Sequence, residues 1–153
     1  MNDETFSLEE AARNCLVHPF WTRDSSWFIA RTFHECRFRR EKRSIAEALH
    51  LRACWHTVAC ARFDSGSVVV DGGGQRIREI DPAELPRPVT LMACSVGIAL
   101  SKRPDKFGRF ESELRDPDDL MVMDGNHRLA GLAMRRRNGQ PDVVSEIIVY
   151  VCR

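Results

Sequence analysis

Residues 120–139 read LMVMDGNHRLAGLAMRRRNG. Leu120 to Met123 form a short apolar run of the length expected for a buried strand. The run stops at Asp124 and Gly125, and Asn126, His127 and Arg128 follow in a row. The spacing then predicts a helix over about Arg128 to Arg137, stopped by Asn138 and Gly139, with Ala130, Gly131 and Ala133 letting it lie close to a sheet. A strand entering a glycine turn and then a helix points backbone amides at whatever sits above the turn, which is the geometry of an anion site. Gly125 permits close approach, His127 adds a donor, and the Arg128 guanidinium can fork onto phosphate oxygens. Asp124 either orients a hydroxyl or Mg²⁺ beside a phosphate or caps the helix, and spacing alone leans to the cap. His127 is a general acid, a phosphate ligand or a histidine satisfied by a backbone group.

Outward from this stretch, VVSEIIVYV (143–151) supplies a final strand. Before it, the charged segment 101–120 is long for a structureless link, which makes it a lid or a tie to the amino-terminal half. TLMACSVGIAL (90–100) reads as a short helix or irregular segment after the proline-broken DPAELPRP. SVVVDGGGQRIREI (67–80) reads as a hairpin, with Gly72 to Gly74 as a plain turn rather than a phosphate loop because no Gly-Lys-Ser/Thr follows.

The first 64 residues look helical. Ser7 and Glu10 have capping-box spacing for a helix from Leu8 to about Leu16, and Ser44 and Glu47 repeat it for a helix through Phe63. The aromatics from Trp21 to Phe38 fit a helix from near Ser25 that buries them. The basic run FRREKR (38–43) is a solvated link between helices, or a contact for phosphates. His50/Cys54 and His56/Cys60 have one-face metal spacing, but the pairs share no stripe well, so no metal site is expected. The MRRRNG arginines suit a helix carboxyl end or a nucleic-acid contact.

Composition narrows the class. With 153 residues, 43% hydrophobic and 29% charged, one compact domain is expected. Lysine plus arginine (23) nearly balance aspartate plus glutamate (22), so any polyanionic partner must meet a local patch. The acidic amino terminus lacks the pattern of an export signal, no apolar stretch reaches membrane-spanning length, and the six cysteines hold no C-x-x-C pair, so a cytoplasmic protein with reduced thiols is expected.

VMDGNHRLAGLA, with an apolar strand before and EIIVYV after, resembles the signature of the ParB/sulfiredoxin superfamily, and IREIDPAELPRP (77–88) resembles its opening strand and proline-containing turn. The resemblance spans at most residues 76–153. It implies a site for ATP, ADP or CTP, with Mg²⁺ as an accompanying ion. Gly125, Asn126, His127 and Arg128 would be the phosphate cradle, with Asp124 beside it. It implies an NTP hydrolase or small-molecule kinase, in which Asp124 and His127 act at the reacting groups and Glu84 or Glu79 serves as the carboxylate base. Asn126 stands where a sulfiredoxin carries its cysteine, which argues against sulfinic acid reduction. The chain also ends without the helix-turn-helix region of partition proteins.

The expectation is therefore an α+β fold: a helical region over 1–64 packed on a small mixed sheet over 65–153 as one unit. The partner is a nucleotide or phosphorylated small molecule. The alternative is a non-enzymatic nucleic-acid-binding, regulatory or adaptor module that uses the same cradle and meets a protein partner or a second copy of itself.

Overall fold

A computed structural model describes residues 4–15, 32–53, 60–65 and 82–153. The expected hairpin over 67–80, the helix from Ser25, and Cys54, His56 and Glu79 lie outside the described residues. The described chain is α+β. Six strands, β1 (Thr5–Phe6), β2 (Phe38–Ser44), β3 (Arg52–Ala53), β4 (Thr90–Ser95), β5 (Leu120–Asp124) and β6 (Glu146–Cys152), form one sheet in the order β1-β2-β6-β4-β5-β3. It is mixed: β6 runs parallel to β4 and β3 parallel to β5, and the other neighbours are antiparallel. The helices are α1 (Leu8–Asn14), α2 (Ile45–Leu49), α3 (Val96–Lys102), α4 (Pro104–Phe107) and α5 (Asn126–Arg137). Among the described residues no helix is long and apolar enough to cross a membrane.

The alternation of side chains along the central strands divides the core in two. Leu91 and Ala93, Leu120 and Val122, and Ile147, Val149 and Val151 face α2 and α5, where they meet Leu49, Leu129 and Leu132. Met92 and Cys94, Met121 and Met123, and Ile148, Tyr150 and Cys152 face α1, where they meet Leu8, Ala11, Phe33 and Phe107. With α1 on one face and α5 on the other, the middle of the sheet is dry on both sides.

Several elements follow their sequence signals. Ser7 Oγ accepts from the Glu10 amide at 3.2 Å and Glu10 Oε2 accepts from the Ser7 amide at 2.9 Å, the capping box that starts α1. Ser44 starts α2 through a bond from the Glu47 amide at 3.1 Å. β5, β6 and the α5 stop, with Gly139 at φ 72°, lie as expected.

Other elements differ. The amino-terminal half is not a helical layer, because β1, β2 and β3 belong to the sheet. The basic run FRREKR is β2, paired with β6 from Arg39↔Val151 to Ser44↔Glu146. Its charges are accommodated locally: Glu41 accepts from Arg43 at 2.7 Å and from Arg153, and Lys42 lies 3.8 Å from Glu146. The helix expected through Phe63 stops at Leu49, because β3 pairs with β5. TLMACS is β4, the strand between β6 and β5. Buried on both faces, it shows a continuous apolar run instead of alternation, which sequence periodicity cannot distinguish from a helix. The 101–119 segment is a tie: Phe107 and Leu114 enter the α1-side core, and the Val96 and Gly97 amides donate to Asp119 and Pro117 carbonyls at 2.8 and 3.0 Å.

Asp119 anchors the start of β5. Its carboxylate accepts from Arg52 Nε at 2.7 Å and from Arg62 Nη2 at 2.7 Å, joining β3 and the turn at Phe63–Ser65 to the sheet. Burial pushes this carboxyl up, but the Arg62 and Arg52 guanidiniums outweigh it and hold Asp119 below the usual aspartate range. The folded carboxyl therefore binds its proton less tightly than the unfolded one, so its stabilisation is present above the unfolded value and lost as pH falls through the folded one. Asp119→Asn should lower stability at neutral pH by about 2 kcal/mol and flatten the acid side of the stability profile, measured by urea unfolding from pH 7 downward.

Candidate functional site

The turn between β5 and α5 is built by glycine. Gly125 has φ 103°, a left-handed conformation that side chains disfavour, and a Cβ there would lie 2.3 Å from Leu91 Cδ2. The chain can therefore fold back over β4 at this point only with no side chain. Gly125 is also the N-cap of α5, so the cap position itself supplies no side-chain hydrogen bond. The cap role expected of Asp124 is overturned, because Asp124 is the last residue of β5 and its carboxylate turns instead toward Arg128. An uncapped amino terminus concentrates the positive end of the helix dipole at the turn.

The next three residues divide their roles. Asn126 is buried, and its Nδ2 donates to the Val122 carbonyl at 3.2 Å, pinning the helix start to β5. His127 is half-buried in the first helical turn. Arg128 reaches across the sheet end: Nη1 donates to the Thr90 carbonyl at 2.7 Å, Nη2 donates to the Cys15 carbonyl at 3.1 Å, and Nη1 lies 3.6 Å from Asp124 Oδ2. The expected phosphate fork is thus engaged in joining α1, β4 and β5. A quarter of the Asp124 side chain is open (26%), yet Oδ2 itself is enclosed and accepts no hydrogen bond among the described residues. Burial pushes Asp124 up from its ordinary value, against the pull of Arg128.

Cys15 closes the cluster. Its Sγ donates to the Leu91 carbonyl at 3.4 Å, and burial, reinforced by the Asp124 charge, pushes the thiol up to about 12. It is a packed thiol and not a nucleophile. Glu84 lies exposed in the Pro82–Glu84 turn, which packs against α5. The structure therefore brings Asp124, Gly125, Asn126, His127 and Arg128 together, with Glu84 on a neighbouring turn. Sequence reasoning missed Cys15, Thr90 and Leu91, whose part depends on contacts distant in the chain.

Of the remaining sequence candidates, His50, Arg135 and Arg136 have structural partners. His50 Nδ1 lies 2.8 Å from Asp64 Oδ2, Cys60 is buried, and among the described residues no group of three His, Cys, Asp or Glu side chains is arranged to hold a metal. Arg135 donates to the Pro141 carbonyl at 3.0 Å and Arg136 pairs with Asp142 at 2.9 Å, so these two fasten the loop after α5. No protein-family model matches the chain, and neither a curated protein nor a solved structure matches it.

Arg128→Ala strands two carbonyls and leaves Asp124 without its counter-charge, so a loss of about 3 kcal/mol in urea unfolding is expected, partly recovered by adding Asp124→Asn. For Asp124 the pH sign opposes that of Asp119. A raised folded value means the folded state holds the proton more tightly, so this carboxyl's contribution declines as pH rises from the unfolded to the folded value. Asp124→Asn alone should remove that decline, read from melting temperatures across the same pH series.

Proposed function

We propose that the chain binds a nucleotide or a phosphorylated small molecule at the start of α5, in the manner of the ParB/sulfiredoxin superfamily that its DGNHR turn resembles, and that it does so in the cytoplasm. The observation that carries this reading is the uncapped helix start forced by Gly125, with His127 and Arg128 in its first turn. ATP, ADP and CTP are the ligands the resemblance points to. Phosphate oxygens would take hydrogen bonds from the α5 amides and from His127, while Arg128, held by Thr90 and Cys15, contributes its charge from the side. In this reading the partly open Asp124 carboxylate would orient a hydroxyl, a water or Mg²⁺ beside the phosphates, as an NTP hydrolase or a small-molecule kinase requires. Asn126, with its amide turned into β5, serves the architecture of the turn.

A thermal-shift panel of ATP, ADP, CTP and phosphate, each with and without Mg²⁺, tests the reading. A ligand near 100 times its dissociation constant stabilises by about 2.7 kcal/mol, a rise of several degrees in Tm. The rise should shrink in His127→Ala, which spares the Arg128 contacts. An absence of any rise in the wild type, or an undiminished one in His127→Ala, would overturn the assignment.

A further inference from the structure

All five described cysteines, Cys15, Cys36, Cys60, Cys94 and Cys152, lie in the core on the α1 side of the sheet, and none of these five is in a disulfide. Two of them meet. β2 and β6 pair up to Arg39↔Val151, so Cys152, the last residue of β6, comes out beside the entry of β2. Cys36 stands just before that entry, where its amide donates to the Phe33 carbonyl at 3.0 Å and closes a turn. The Cys36 and Cys152 thiols lie within hydrogen-bonding reach of one another.

Three observations set this pair apart from the other thiols. Cys36 is the most open of the five, at 9% exposure against 3% for Cys152 and 1% or less for the rest. It also lies outside any helix or strand, so its backbone can follow the adjustment that brings two Cβ atoms to the separation of about 4 Å that a disulfide needs. Cys94 is level with Cys152 as well, but β4 is hydrogen-bonded to β6 on one side and to β5 on the other, which holds both backbones in place. Burial and then the neighbouring Cys36 thiol push Cys152 up to about 12, so the more open Cys36 is the member of the pair that meets an oxidant first.

We propose that Cys36 and Cys152 form a reversible disulfide on exposure to hydrogen peroxide, a redox-sensitive clamp between the turn before β2 and the end of β6. The deprotonated Cys36 sulfur attacks one peroxide oxygen and the O–O bond breaks, giving a sulfenic acid and a hydroxide that takes up the Cys36 proton as water. The Cys152 sulfur then attacks the sulfenic sulfur, the S–S bond forms as the S–O bond breaks, and the departing hydroxide leaves with the Cys152 proton as a second water. Two thiols and one peroxide thus give one disulfide and two waters, and a dithiol reductant reverses the change by exchange. The pair is separate from the α5 turn and does not depend on the function assigned there.

Peptide mapping by mass spectrometry tests the proposal on the full chain, oxidised with hydrogen peroxide and then alkylated in denaturant without reduction. The expected result is a Cys36–Cys152 link within one chain, with four of the six cysteines alkylated and all six recovered after dithiothreitol. The link closes a loop over most of the sequence, so the oxidised protein should melt several degrees above the reduced one. Cys36→Ser should abolish that rise, whereas Cys94→Ser should leave both the link and the rise in place. Six alkylated cysteines after peroxide, a link from Cys152 to Cys94, or links between chains alone would overturn it.

Discussion

The Arg128 guanidinium is where α1, β4 and the β5–α5 turn are held to one another. It donates to the carbonyl of Cys15, at the end of α1, and to that of Thr90, at the start of β4, while facing Asp124. The two carbonyls belong to a helix end and a strand start, where backbone groups lack the partners that regular structure provides. One planar cation supplies both, and its delocalised charge is less costly to desolvate than an ammonium. Here the two carbonyls are met by two different nitrogens of one fork, whereas lysine would have to meet both from a single nitrogen. The arrangement requires Arg128 to start from the right place, which Gly125 ensures by letting the chain turn against Leu91 without a side chain in the way. Asn126 then fixes the first helical turn to β5.

This tie also shapes what the site can do. The helix start at Gly125 and the Arg128 guanidinium are already fixed by packing, so a ligand at this turn would meet preorganised donors. Asp124 is held in the same cluster at the cost of partial burial, which raises its proton affinity.

How much of this was legible in the sequence follows from the range of each interaction. Ser7 with Glu10, Ser44 with Glu47, the LMVM run and the Asn138–Gly139 stop are local devices, and each marks its element. β4 was misread because a strand buried on both faces loses the period that identifies strands. β2 was misread because its charges suggested solvent, although its backbone is taken up by β6 and Glu41 and Glu146 answer its cations. The DGNHR turn stood out as a site, but its internal economy did not. Arg128 reaches partners 38 and 113 residues away, and no local pattern reports that this arginine is a structural tie. Asp124 illustrates the same limit: helix-start spacing suggested a cap, and only the position of Gly125 shows that the helix begins one residue later.

Whether the start of α5 holds a phosphate would be seen in a crystal structure of the protein grown with ADP and Mg²⁺. A phosphate group should lie over the first turn of α5, within about 3 Å of its backbone amides and beside His127, with the Arg128 contacts to Thr90 and Cys15 retained. Nucleotide bound elsewhere, or an empty turn at saturating ADP, would contradict it.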